Sequence, residues 1–313
     1  MMAAVGPAHA SINAGEILKQ RIVHFVSGAS TEVTASDDHR LPQLIDLLPP
    51  NTAVYVAHVP KTTLNHVVKT ALAVQRAGFI ATPHIVARRI TYPHMLRVAL
   101  DELRAGGVEQ LLLVAGDTAQ AAGVFENTID ILNSGLLEQS GIKRIGVAGY
   151  PEGQKSVGPT LLWNALKAKQ AFSERSGIAA HIVTQFGMHA NAIPEWERQL
   201  IEHGIRLPIR VGIAGPASLS KLIQFAMLCG IGTSLRTVMR NLSAAGGIAD
   251  LATSPDQHVM RLVQLADTTH VVGPHFFAFG GALETAKWIN RVRCGKFEVD
   301  DRKDKFNVEG IDI

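Results

Sequence analysis

The chain has 313 residues, 47% of them hydrophobic, which is ample for a large core. A formal net charge of +3 with mixed signs is too mild to imply nucleic-acid binding. Two cysteines, Cys229 and Cys294, exclude a disulfide framework and show no metal-ligand spacing, so a reduced, cytoplasmic protein is expected.

No apolar run reaches the roughly 18 residues of a membrane span, and Met1–Ala10 lacks the basic and apolar regions of a signal peptide. Ser11 to Val26 predicts a leading helix, with Ser11 as cap and Ile12, Ile17, Leu18, Ile22 and Phe25 as its apolar stripe. Gly28 stops it. Ala29 to Thr34 is a β-prone run containing Glu32, and Leu41 to Leu48 a short helix before Pro49-Pro50.

From there strands and helices alternate. Ala53–Ala57, Phe79–His84, Leu111–Ala115, Ile145–Ala148, Ile178–Thr184, Pro208–Ile213 and His270–Phe276 read as strands. The intervening helices span Thr63–Ala77, Tyr92–Arg104, Val124–Glu138, Thr160–Glu174, Ala192–His203 and Leu219–Leu228. Further helices are expected at Leu235–Leu242, Pro255–Leu265 and Leu283–Val292. Such alternation implies parallel strands with right-handed crossovers. Counted from Ala29, about eight strand–helix units give a single (β/α)8 TIM barrel. No strand is followed by the G-x-G-x-x-G of an open dinucleotide-binding sheet. The expected organisation is an N-terminal helical extension over 1–28, the barrel over 29–293 and a charged tail over 294–313, peripheral or partly disordered.

The stretch Leu111 to Asp117 (L-L-L-V-A-G-D) shows the logic of the site. An apolar strand buried on both faces runs into Gly116, which permits a turn and close ligand approach, and then presents a carboxylate. In parallel α/β folds chemistry sits at the carboxyl ends of the strands. Polar residues at such ends are Glu32, His58, His84, Asp117, Tyr150 with Glu152, Gln185 and His275. Each has an ordinary alternative, such as a hydrogen-bonded histidine, a helix N-terminal acid or a packed aromatic with a wet hydroxyl. Carboxylates at a barrel mouth cost desolvation energy, which favours a functional role for Glu32 and Asp117. There is no H-x-H on the first strand and no G-x-S-x-G nucleophile motif.

The motifs Ala148-Gly149-Tyr150-Pro151-Glu152, Thr184-Gln185-Phe186, Gly116-Asp117, Pro83-His84 and Gly212-Ile213-Ala214-Gly215-Pro216 occur in order on successive strands. In this the chain resembles the methylenetetrahydrofolate reductase family in its short bacterial form, over roughly Ala29 to Val292. The resemblance implies a barrel with FAD across its mouth, reduced by NADH or NADPH, and hydride transfer between 5,10-methylenetetrahydrofolate and 5-methyltetrahydrofolate. It gives Glu32 the role of proton donor in opening the five-membered ring, a step that needs an acid poised near working pH. Asp117 falls where a carboxylate stabilises the developing cation, and Asp117, Gln185 and Leu219 fall at folate-contacting positions. His58, His84, Ala115, Gly116, Asp117, Tyr150, Gln154 and Lys169 fall at flavin positions, Lys169 near the phosphates.

The chain departs from the family pattern at Ala57, Ala115, Gln154-Lys155, Gly187-Met188 and Gly281. A homo-oligomer is implied, with no membrane or nucleic-acid partner. Two other readings stay open: a non-catalytic folate- or flavin-binding homologue, and a metal-dependent barrel hydrolase using His58, His84, His275 and Asp117.

Overall fold

The computed structural model describes residues 14–154, 157–187, 189–218, 221, 224, 252–265, 270–300 and 305–310. The barrel strands are β1 (Ser30–Thr34), β2 (Ala53–Ala57), β3 (Ile80–Val86), β4 (Gln110–Val114), β5 (Arg144–Gly149), β6 (Ala179–Thr184) and β7 (Ile209–Ala214). A two-stranded ribbon, β8 (Ala217–Ser218) with β9 (Ala252–Thr253), precedes the eighth barrel strand, β10 (Val271–Phe277). The eight close in the order β1-β10-β7-β6-β5-β4-β3-β2, every adjacent pair parallel. The fold is therefore a (β/α)8 barrel, and all strand carboxyl ends open on one mouth.

The helices are α1 (Ala14–Ser27), α2 (Leu41–Leu47), α3 (Leu64–Arg76), α4 (Pro93–Ala105), α5 (Thr128–Asn133), α6 (Pro159–Ser176), α7 (Ala192–Glu202), α8 (Asp256–Gln264) and α9 (Ala282–Arg293). Their starts follow local chemistry. Thr63 caps α3 by accepting from the His66 amide, and proline occupies the first turns of α4 and α6. The main core lies between these helices and the outward faces of the strands, with Val54, Val56, Leu111, Leu113, Ile145 and Val147 all at 0% exposure. α1 packs on α8, α9 and β10, with Ile22 and Val26 fully buried.

One expectation needs correction. The segment 124–138 is helical only over Thr128–Asn133; Asn127 and Asp130 form a capping box, and turns follow directly from Ser134. The tail follows α9 from residue 294. Its described part is an antiparallel hairpin, β11 (Phe297–Asp300) with β12 (Lys305–Val308), in which Phe297 and Phe306 are buried against each other and Phe306 against Trp288. Two phenylalanines at inward positions outweigh the charge that dominates the tail's composition. The helix expected at Leu235–Leu242 lies outside the described residues, and of the one expected at Leu219–Leu228 only residues 221 and 224 are described, both helical.

Candidate active site

The inside of the barrel carries an unusual amount of polarity. An apolar set, Tyr55, Leu112 and Val183, fills part of it. TIM-barrel interiors are ordinarily packed with branched apolar layers, yet here Glu32, His84, His181 and His275 also face inward. The register explains their meeting. Ser30 pairs with His275 across β1 and β10, and Glu32 pairs with Tyr55 across β1 and β2. Period-two alternation then aims Glu32, Tyr55 and His275 at the barrel axis.

The Glu32 side chain is 12% exposed. Its Oε1 lies 3.3 Å from His275 Nε2, and the fully buried His275 places Nδ1 2.9 Å from Ser30 Oγ. His84 Nε2 approaches the same Glu32 oxygen at 3.6 Å, beyond hydrogen-bond reach, and has no other partner among the described residues. Burial drives the His84 pKa down to about 4 and outweighs the neighbouring carboxylate, so the imidazole is neutral near pH 7.

Below this group the Tyr55 hydroxyl meets His181 Nε2 at 2.8 Å, and the Tyr55 ring stands edge-on to His275 with centroids 4.5 Å apart. Burial pushes the Tyr55 phenol up to about 12. Burial first, then Arg210 and Arg144, pull His181 down to about 3. Tyr55, His84 and His181 are thus held in neutral forms around and below the Glu32 side chain.

The rim carries the other expected residues. His58 follows β2 directly, is buried, and meets the Thr62 carbonyl through Nε2 at 2.9 Å. Burial lowers its pKa, with Arg89 adding to the effect. Beyond β4 come Ala115, Gly116 and Asp117. Gly116 has φ +104°, and a Cβ there would come 2.7 Å from Val86 Cγ1, so the turn that presents Asp117 requires glycine. Asp117 is 60% exposed and pairs with Arg89, not with the Glu32 group.

Tyr150, Gln154 and Lys169 line one cavity of about 270 Å³, between the turn after β5 and helices α6 and α7. Its walls are mainly apolar and include Leu162, Trp163 and Trp196. Lys169 is 6% exposed and pairs with no acid among the described residues; burial lowers its pKa to about 8. A buried cation without a counter-charge among those residues, at the edge of an indole-walled cavity, suits an anionic group on an aromatic ligand. Gln185 follows β6, its backbone amide donating to the Gly149 carbonyl at 2.8 Å and its Oε1 accepting from the Phe186 amide. It lines a smaller cleft beside the cavity with Tyr150, Glu152 and His258.

The barrel thus gathers Glu32, His84 and His275 in its throat, and Tyr150, Gln154 and Lys169 at one cavity. His58 and Asp117 meet through Arg89. His84 sits inside β3 and Lys169 on α6, neither at a strand terminus. Leu219 lies outside the described residues. Among the described residues no three His, Cys, Asp or Glu side chains form a group that could hold a metal ion, so the hydrolase reading gains no ligand cluster.

Sequence reasoning passed over Ser30, Tyr55, Arg89 and His181. Tyr55 was signalled by alternation in Ala53-Val54-Tyr55-Val56-Ala57, which sets it opposite the outward valines. Arg89 carried no comparable signal, because its role rests on a contact with a residue 28 positions away.

Among the described residues no helix is long and apolar enough to cross a membrane. A solved structure similar to this chain is dihydropteroate synthase from Thermus thermophilus, 12% identical, covering 82% of this chain and 91% of that one, with a TM-score of 0.41. The family model for methylenetetrahydrofolate reductase matches residues 54–245, more than half of the sequence, and supports a folate-related oxidoreductase function. Carrying that match on a closed parallel barrel, the chain belongs to the methylenetetrahydrofolate reductase family.

Proposed function

We propose that this protein interconverts 5,10-methylenetetrahydrofolate and 5-methyltetrahydrofolate, with FAD as cofactor and NADH or NADPH as electron donor. The observation that carries the reading is Glu32, a carboxyl in the barrel throat that is 12% exposed and 3.3 Å from a fully buried histidine. Family membership supplies the reaction class.

A bound flavin supplies hydride carriage between nicotinamide and folate. His58, His84, Ala115, Gly116, Tyr150 and Gln154 would border it, and the Lys169 ammonium would meet its phosphates. The chain's own chemistry is proton handling and orientation. Glu32 delivers a proton to the folate ring nitrogen as the five-membered ring opens, a transfer that positioned acids accelerate by about 10²–10⁴-fold. Asp117 binds the folate ring with its carboxylate and offers the same charge to the cation that develops there. Gln185 presents an amide to the edge of the heterocycle, and the neutral His84 adds no competing positive charge.

The test is spectroscopic. Purified protein, as isolated or after FAD is added, should show a flavin absorption band. Anaerobic NADH or NADPH should bleach the band, and methylenetetrahydrofolate should restore it with formation of 5-methyltetrahydrofolate. Protein that binds no FAD and forms no methyl product overturns the proposal. Folate binding without turnover favours the non-catalytic homologue.

A further inference from the structure

Arg89 ends the single 3-10 turn after β3, Ala87–Arg89. Its Nη2 lies 2.8 Å from Asp117 Oδ1, and its Nη1 donates to the His58 carbonyl at 2.6 Å. One guanidinium therefore ties the exit of β2 and the exit of β4 to that of β3. The Arg89 side chain is 17% exposed and that of Asp117 60%, so the arginine sits beneath and the carboxylate faces outward.

The neighbouring Arg88 secures the backbone of the same loop. Its Nε donates to the Glu126 carbonyl at 2.8 Å and its Nη1 to the Thr118 carbonyl at 3.0 Å. The Arg88 amide donates to Ala115 O, and the Arg88 carbonyl accepts from the Ala122 amide. A Cβ on Gly123 would come 2.1 Å from the Thr91 carbonyl oxygen, so loop and turn are in close backbone contact. The loop is pinned by Arg88, and its Asp117 carboxylate by Arg89.

We propose that Arg89 is the positioning residue for Asp117. It holds the carboxylate in one orientation with Oδ1 engaged, and presents the substrate with a preset ion pair instead of a mobile charge. A carboxylate this exposed would otherwise sample several rotamers, and a ligand would have to order it on binding. The planar guanidinium fork supplies the geometry, which an ammonium on a flexible stem does not. The inference rests on the reading of Asp117 as a substrate-facing group.

The experiment uses flavin-loaded protein and compares the parent with Arg89→Ala, Arg89→Lys, Asp117→Ala and the Arg89→Ala/Asp117→Ala double variant. Binding of 5-methyltetrahydrofolate is followed by calorimetry, and steady-state kinetics separate folate KM from nicotinamide KM. Arg89→Ala should weaken folate binding by about tenfold or more, the scale of a lost charge-assisted hydrogen bond. Nicotinamide KM should stay unchanged, and Arg89→Lys should bind between Arg89→Ala and the parent. In the Asp117→Ala background the Arg89 substitution should add nothing. An Arg89 effect that persists there, or Arg89→Ala that binds like the parent while Asp117→Ala does not, overturns the proposal. Asp117→Ala that itself binds like the parent overturns the reading of Asp117 and the inference with it, a pattern distinct from the other two. Should Arg89→Ala not fold, Arg89→Lys carries the test, since it keeps the charge and loses the fork; parent-like binding by it then overturns the proposal.

Discussion

His275 bridges Glu32 and Ser30, its Nε2 3.3 Å from Glu32 Oε1 and its Nδ1 2.9 Å from Ser30 Oγ. Two proton arrangements satisfy the same heavy atoms. With Glu32 ionised, Nε2–H donates to it and the Ser30 hydroxyl donates to Nδ1. With Glu32 protonated, its O–H donates to Nε2, Nδ1–H donates to Ser30 Oγ, and the hydroxyl turns to the Pro274 carbonyl at 3.4 Å. His275 thus serves the acid before and after it gives up its proton. His275→Gln, whose amide can donate or accept near the Nε2 position, should keep the folate step within about tenfold of the parent. His275→Asn, which reaches only towards Ser30, should lose about 10²-fold, the cost of a charged hydrogen bond at a buried site. Rapid-mixing measurement of the folate step checks this, with the nicotinamide step as internal control. Equal losses in both variants would remove the relay from the account.

Glu32→Gln keeps the side chain's shape and its acceptor oxygen and removes the transferable proton. The folate step should slow by about 10²–10⁴-fold while bleaching by the nicotinamide proceeds normally. Binding of 5-methyltetrahydrofolate, measured on the same variant, should change far less. A variant that turns over folate at the parent rate would take Glu32 out of the mechanism.

Lys169 should make flavin binding sensitive to alkaline pH. Burial lowers its pKa to about 8, so its charge is present below that pH and is lost above it. An anionic ligand selects the charged form. Affinity should therefore be constant below about pH 8 and fall by about tenfold per pH unit above it, until the pKa of the complex is reached. Lys169→Arg keeps its charge throughout and should show no such fall, whereas Lys169→Ala should bind weakly at every pH. Fluorescence-quenching titrations of FAD at several pH values decide between these patterns. A flat profile in the parent would separate Lys169 from the ligand's anionic groups.

The sequence makes the barrel legible because its signal is local and repeated. Leu111-Leu112-Leu113-Val114 reads as a buried strand without reference to any other part of the chain, and several helix starts carry their own proline or cap. Strand-end residues follow from the same local reading, so Asp117, Tyr150 and Gln185 could be placed on one rim in advance. The contacts of those residues could not. Arg89 meets Asp117, and Tyr55 meets His181, only because the barrel closes; neither pair has a spacing that marks it. Segment 124–138 failed for a related reason. Its apolar residues fit a helical stripe, but the turn beginning at Ser134 overrides the pattern, with the Ser134 hydroxyl donating to the Ile131 carbonyl.

The buried histidines should make the fold sensitive to acid. His84 and His181 have folded-state pKa values of about 4 and about 3, against 6.5 when exposed, with burial the first cause in both. Their pKa values are depressed, so between those values and 6.5 the unfolded chain binds protons that the folded chain does not. Stability from keeping them neutral is complete above about pH 6.5 and declines as pH falls through the folded values. Each contributes a slope of about 1.4 kcal/mol per pH unit at most. Urea unfolding at a series of pH values should show this decline. His181→Gln, which retains a partner for the Tyr55 hydroxyl, should make it shallower. An equal slope in that variant would place the acid sensitivity elsewhere.

The terminal hairpin should matter for stability and not for ligand binding. Phe306 is fully buried, with its ring 4.8 Å from that of Phe297 and 6.0 Å from that of Trp288. Trp288 in turn donates from Nε1 to Asp256 Oδ1 at 2.6 Å, joining α9 to α8 beneath the hairpin. Lys19 of α1 lies 5.2 Å above the Phe297 ring, so the leading helix and the tail close over the same pair of helices. Phe306→Ala removes an aromatic side chain from this contact and leaves a cavity that the surrounding helices can fill only in part. A loss of about 3–5 kcal/mol is the usual cost of such a truncation. No residue of this cluster lines the cavity that holds Lys169 or touches Glu32 or Asp117. FAD affinity at a temperature where the variant remains folded should therefore equal that of the parent, while the denaturation midpoint falls and Trp288 emission shifts to the red. A variant that loses FAD affinity without losing stability would show that the tail reaches the mouth of the barrel by a route the packing does not reveal.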